Sequence, residues 1–151
     1  MRYRSINEYT FFLEAWLLLH VSRLMILFFP FKKIAATFGI LNQESTKEIS
    51  EQEIGGDIKN AIRRATQYTV HSSKCYDQAL AGKLMLKWRR LPSTIYFGLS
   101  KNDRSELIAH AWLRFGNNIV TGEKGIENFT IVAFYGDADL VNLNSQITSQ
   151  S

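Results

Sequence analysis

The chain has 151 residues, enough for one domain with its own core, and 46% hydrophobic against 21% charged residues exclude a disordered polypeptide. The 18 Lys and Arg exceed 14 Asp and Glu only slightly and are spread out, with doublets at Lys32-Lys33, Arg63-Arg64 and Arg89-Arg90, so the dense basic stripe of a nucleic-acid binder is absent. A single cysteine excludes an internal disulfide and fits a reducing, cytoplasmic setting.

In chain order, the first element is a helix from Asn7 to about Phe29, apolar nearly all round. Thr10 to Phe29 matches the ~20 residues of a membrane crossing. Glu14, His20 and Arg23 interrupt it, and ionisable groups in mid-bilayer are costly. The segment therefore reads as a helix packed against the rest of the domain, with an interfacial helix as the alternative, since Leu17, Leu18, Leu24, Phe28 and Phe29 are many for one helix. No signal-peptide order is present. Pro30 ends the helix, and Phe31 to Phe38 offers a short second one with Gly39 as its stop. Asn42 to Gly56 is polar and reads as a connection. Asp57 is placed to cap a helix whose Ile58, Ala61, Ile62 and Ala65 repeat at helical spacing.

His71-Ser72-Ser73 breaks that run, and Ser72 or Ser73 can cap the next helix, which begins at Cys75 and stops at Pro92. Its apolar stripe is Ala79, Leu80, Leu84 and Trp88, with Lys83, Lys87 and Arg90 outside. Beyond Pro92 the period falls to two. Strands are expected at Ser93–Leu99, Glu106–Phe115, Asn118 to about Glu123, and Phe129–Tyr135, with Gly116-Asn117 as a glycine-first hairpin turn. The polar tail from Asn142 is expected to fray. Helices first and antiparallel strands afterwards give an α+β fold in one domain: a helical part over 1–56, a core over 57–140 and a tail over 141–151.

Cys75 at a helix start and His110 on a later strand are the residue types of a thiol nucleophile and its base. A free thiol, with pKa ~8.5, needs a helix N-terminus or an imidazolium to become a thiolate at neutral pH. Strand alternation sends Leu107, Ala109, Ala111, Leu113 and Phe115 into the core and His110 to the other face, where the helix of Cys75 could lie. With Phe115 facing Asn118, counting outwards puts His110 opposite Glu123, a carboxylate able to fix its tautomer. The backbone N–H of Cys75 and the side chain of Gln67 are candidate oxyanion donors. A lone cysteine is also, more often, a small buried apolar residue. His71 is a rival base, and His20 reads as a core or interface residue. Three scattered histidines and one cysteine have no metal-ligand spacing, and no cofactor motif is present.

Ser73-Lys74-Cys75-Tyr76-Asp77-Gln78-Ala79-Leu80, Arg89-Arg90-Leu91-Pro92, Gly98-Leu99 and Ala109-His110-Ala111-Trp112-Leu113 follow the order found in the McjB C-terminal-like proteins. Arg23, Ala61–Ala65, Val120-Thr121-Gly122 and Phe129-Thr130 extend the resemblance over about residues 10 to 135. That family comprises the leader peptidases of lasso-peptide biosynthesis, within the transglutaminase-like, papain-like superfamily. The resemblance implies a thiol protease of the cytoplasm that removes the leader from a ribosomally made precursor peptide, with Cys75 as nucleophile and His110 as general base and acid. Family members commonly carry an Asp where this chain has Gly122. That leaves Glu123, a more distant carboxylate such as Asp137, or no residue as the third member. The chain resembles the stand-alone form, which implies a separate leader-recognition protein and the ATP-dependent lasso cyclase as partners. Acyl transfer by the same residues and a non-catalytic adaptor role are the rival readings.

Overall fold

A computed structural model describes residues 4–49, 51–70 and 74–138. Helix α1 (Arg4–Phe28) runs uninterrupted because neither Gly nor Pro occurs before Pro30, which cannot continue it. One face, with Ala15, Leu18, Leu19 and Ser22, is buried against the rest of the molecule, whereas Leu13, Leu17, Leu24 and Phe28 stay exposed. The apolar stretch Asn7–Phe28 is long and apolar enough to cross a membrane, with mean hydropathy 1.7, and 22% of it is buried inside the molecule. The packing expected of this helix is thus met on one face. Glu14 within it is internally satisfied: Arg89 holds it through two bonds of 2.6 and 2.7 Å and lies over the Phe11 ring.

Helix α2 (Phe31–Ala35) is followed by strand β1 (Ile40–Leu41), which the sequence reading lacked; two residues carry no alternation to detect. Helix α3 (Gln52–Ala65) starts five residues before Asp57, so Asp57 lies inside it and is no cap. Gly55 and Gly56 each cost a helix about 1 kcal/mol. Burial of Ile58, Ala61, Ile62 and Ala65 offsets this, and a side chain at Gly55 would meet the Phe115 ring at 2.8 Å.

Helix α4 (Cys75–Trp88) follows, then strands β2 (Thr94–Lys101), β3 (Leu107–Phe115), β4 (Asn118–Thr121) and β5 (Thr130–Gly136). They form one antiparallel sheet in the order β1-β5-β2-β3-β4. Gly116, at φ 60°, makes the expected hairpin turn, with Phe115 paired to Asn118. The architecture is the expected α+β. The pattern of burial along α4 differs from the expected stripe: Lys83 is fully buried and Trp88 is 72% exposed.

The two faces of the sheet have different coverings. Ile95, Ala111, Leu113 and Phe115 are buried on the face that the helices cover. On the far face Arg114 donates to the Ser45 carbonyl at 2.8 Å, the Gly116 carbonyl at 2.6 Å and the Tyr96 hydroxyl at 3.0 Å. Tyr96 in turn donates to Glu44, and Ser45 N–H to Thr94 Oγ1, so the polar segment after β1 is tied down over that face. Buried donors and acceptors there are matched, as their desolvation requires.

Candidate active site

Cys75 is the first residue of α4, half-buried and unpaired in any disulfide. Ser72, Ser73 and the rival base His71 lie outside the described residues. The first turn of α4 is instead closed by Asp77, whose Oδ2 accepts the Lys74 N–H at 3.0 Å. Asp77 is fully buried, and Arg23 of α1 stands 3.9 Å from its other oxygen, linking α1 to the end of α4 that bears the thiol. The helix places the positive end of its dipole at Cys75. Next to it, Tyr76 enters an aromatic cluster with Phe31, Phe38 and Phe97 at ring separations of 5.7–6.4 Å. Burial, then Tyr135 and Asp77, push the Tyr76 phenol up to about 12.

These contacts fix the side of the sheet on which Cys75 stands. Phe97 of β2 pairs with Ala111 of β3, and a Cβ at Gly82 of α4 would meet Leu113 at 2.7 Å. Helix α4 therefore covers the face of Ala111 and Leu113. His110, one residue out of phase with Ala111, belongs to the other face. The expected parity of His110 is correct, and the expected position of the Cys75 helix on the His110 face is not. The apolar face needs the helix as cover, and that requirement prevails. Among the described residues no hydrogen bond joins Cys75 and His110.

The imidazole of His110 is half-buried between the rings of Trp112 (5.7 Å) and Phe129 (4.9 Å). Its Nε2 lies 2.7 Å from the carbonyl oxygen of Gly122. A carbonyl only accepts, so Nε2 carries the hydrogen and Nδ1 keeps the lone pair of the neutral ring.

Glu123 is not opposite His110. The β3–β4 register slips after Arg114–Ile119, so that Leu113 pairs with Thr121 and Val120 is the extra residue. The Glu123 carboxylate points to Lys59, whose Nζ donates to it at 2.6 Å in an exposed pair. Asp137 is engaged at the opposite end of the sheet by Lys83 (2.8 Å) and the Ser93 N–H (3.1 Å). Gln67 is exposed in a short 3-10 turn after α3. The acceptor on His110 is thus a main-chain group, which no reading of side-chain types reveals; its one sequence signal is the glycine. Gly122 has φ +74°, and a Cβ there would stand 2.5 Å from the Ala111 oxygen. Among the described residues no three His, Cys, Asp or Glu side chains gather as a metal site.

No curated protein and no solved structure matches the chain. A family model, that of the transglutaminase-like superfamily, matches residues 24–133. The matched segment runs from the end of α1 into β5 and includes both Cys75 and His110. That superfamily covers cysteine peptidases and acyltransferases, and its members are usually catalytic. With a cysteine at the head of a helix, a following antiparallel sheet and a match over most of its length, the chain belongs to the transglutaminase-like superfamily.

Proposed function

We propose that the chain is a cysteine peptidase that cuts the leader from a ribosomally made precursor peptide during lasso-peptide maturation. The observation that carries the thiol chemistry is the position of Cys75, half-buried at the first residue of a 14-residue helix inside the superfamily match. The choice of substrate rests on the sequence segments around Cys75 and His110 that resemble the leader peptidases. A separate leader-recognition protein would deliver the precursor in the cytoplasm, and the lasso cyclase would take the product.

In this reading the Cys75 thiolate attacks the scissile carbonyl, forming a tetrahedral oxyanion. Collapse expels the amine of the core peptide, which takes a proton from the His110 imidazolium, and leaves the leader as a thioester on Cys75. Water, deprotonated by His110, then hydrolyses the thioester to a free carboxylate and restores the thiol. The carbonyl of Gly122 serves in place of a carboxylate side chain, holding the ring with Nδ1 as its basic nitrogen. His110 belongs to the face that α4 does not cover, so this reading requires substrate binding to bring imidazole and thiol together.

The same placement favours a second reading, a non-catalytic adaptor on a peptidase fold. Its support is that Glu123 is held by Lys59 and no hydrogen bond joins thiol and imidazole.

The test is processing of candidate precursor peptides, followed by mass spectrometry with a leader-binding protein supplied. Wild type is expected to cut at one site and to release a free carboxylate, while Cys75→Ala and His110→Ala leave the precursor intact. Processing that survives Cys75→Ala supports the adaptor, and an amine-linked acyl product supports acyl transfer.

A further inference from the structure

Strand β3 is longer than the strand that flanks it. Strand β4 pairs with Leu113, Arg114 and Phe115 alone, so among the described residues no strand borders β3 on its outer side from Leu107 to Trp112. On the inner side β3 is paired continuously to β2 from Leu107 to Arg114.

The direction of the backbone groups follows from the hairpin. In a two-residue hairpin the residues flanking the turn, here Phe115 and Asn118, exchange both hydrogen bonds. Alternation along β3 then turns the N–H and C=O of Leu113, Ala111, Ala109 and Leu107 outwards and those of the intervening residues towards β2. At Ala111 the outward oxygen is shielded by Gly122, where a Cβ would stand 2.5 Å away. Among the described residues Leu107 and Ala109 have no strand on their outer side. Both are exposed, Leu107 at 68%, and Ile108 between them is 42% exposed.

Open edges of this kind are usually blunted by lysine, proline or a bulge. Residues 107–109 are Leu, Ile and Ala, and the pairing with β2 is regular there. The charged residues Asp103, Arg104 and Glu106 sit in the turn that precedes the strand, which closes on itself through Asn102 N–H to the Glu106 carbonyl at 3.0 Å. The edge is short, apolar and unguarded.

We propose that the outer edge of β3 at Leu107–Ala109 binds an extended peptide segment as an added strand. The backbone decides the occupant. Outward N–H and C=O groups repeating every second residue match another extended chain, and a lipid surface or a packed helix offers no such ladder. Side chains of an added strand point alternately to the two faces of the sheet, so this edge borders both the α4 face and the His110 face. A peptide with apolar residues at every second position fits beside Leu107 and Ala109. Identification of that peptide as a precursor leader rests on the function proposed above; the edge itself does not.

The test uses the full chain carrying Cys75→Ala, so that nothing is turned over, and a capped eight-residue peptide of alternating valine and threonine. Amide hydrogen exchange is followed at Leu107 and Ala109. Saturating peptide is expected to slow both amides at least tenfold, and a copy N-methylated at alternate residues is expected to do nothing. Leu107→Pro removes an outward N–H and leaves the ladder to β2 intact, so it should weaken binding about tenfold without unfolding the sheet. Unchanged exchange with peptide overturns the proposal, even where wild type still processes a precursor. Protection that appears without peptide and grows with protein concentration overturns it in favour of a second copy, and protection lost on deleting residues 139–151 overturns it in favour of the chain's own end.

Discussion

The Nε2 of His110 and the carbonyl oxygen of Gly122 are 2.7 Å apart, twelve residues distant in sequence and adjacent across the β3–β4 hairpin. Because the acceptor cannot donate, the pair fixes a tautomer. Nitrogen spectra of protein labelled at histidine should report hydrogen on Nε2 and a bare Nδ1 in the neutral ring. Hydrogen on Nδ1 would contradict the contact. Gly122→Ala should destabilise the fold by about 1–3 kcal/mol in denaturant titrations, since φ +74° disfavours a side chain and the Cβ meets the Ala111 oxygen.

Lys83 gives a pH dependence. Its ammonium is fully buried, bonded to the Ser93 carbonyl at 2.6 Å and to Asp137 at 2.8 Å. Burial pulls its pKa down to about 8 against the opposing pull of Asp137. The unfolded chain therefore holds this proton more tightly than the folded one, and stability rises with pH between about 8 and the ordinary lysine value near 10.5. Thermal melts of wild type and Lys83→Met across that window should diverge, with wild type gaining relative to the variant by about 3 kcal/mol. A constant difference would show that Lys83 does not titrate in this range.

Arg114 is the keystone of the face that carries His110. Replacing it by Met leaves the carbonyls of Ser45 and Gly116 and the hydroxyl of Tyr96 without their donor. Urea titration should register a loss of about 3 kcal/mol. Amides of residues 42–48 should exchange faster than those of α3, because the tether from Ser45 is cut while the helical core is untouched.

Much of this arrangement is legible in the residues. Pro30 bounds the helix it was expected to bound, whereas α4 ends at Trp88, with Arg90 at φ 58°, before Pro92 is reached; Gly116-Asn117 makes its turn, and the alternation of β3 separates Ala111, Leu113 and Phe115 from His110. What is not legible depends on partners far along the chain. Lys83 is inside because Asp137 and Ser93 meet it there, and α3 runs through two glycines because Phe115 fits against Gly55. The slip at Val120, which moves Glu123 away from His110, leaves no mark in the residue types. The pairing of thiol and imidazole suggested by their chemistry conflicts with the alternation of β3, and in the folded chain the alternation prevails.

The role proposed for Cys75 is that of nucleophile in acyl transfer from a peptide. Rapid quenching of the protein with precursor and leader-binding protein, followed by intact-mass spectrometry, addresses it directly. The expected result is an adduct on Cys75 equal in mass to the leader fragment less water, absent in Cys75→Ala and also in His110→Gln, which lacks the acid that protonates the leaving amine. Cleavage with no adduct, at an undiminished rate in Cys75→Ala, would contradict it.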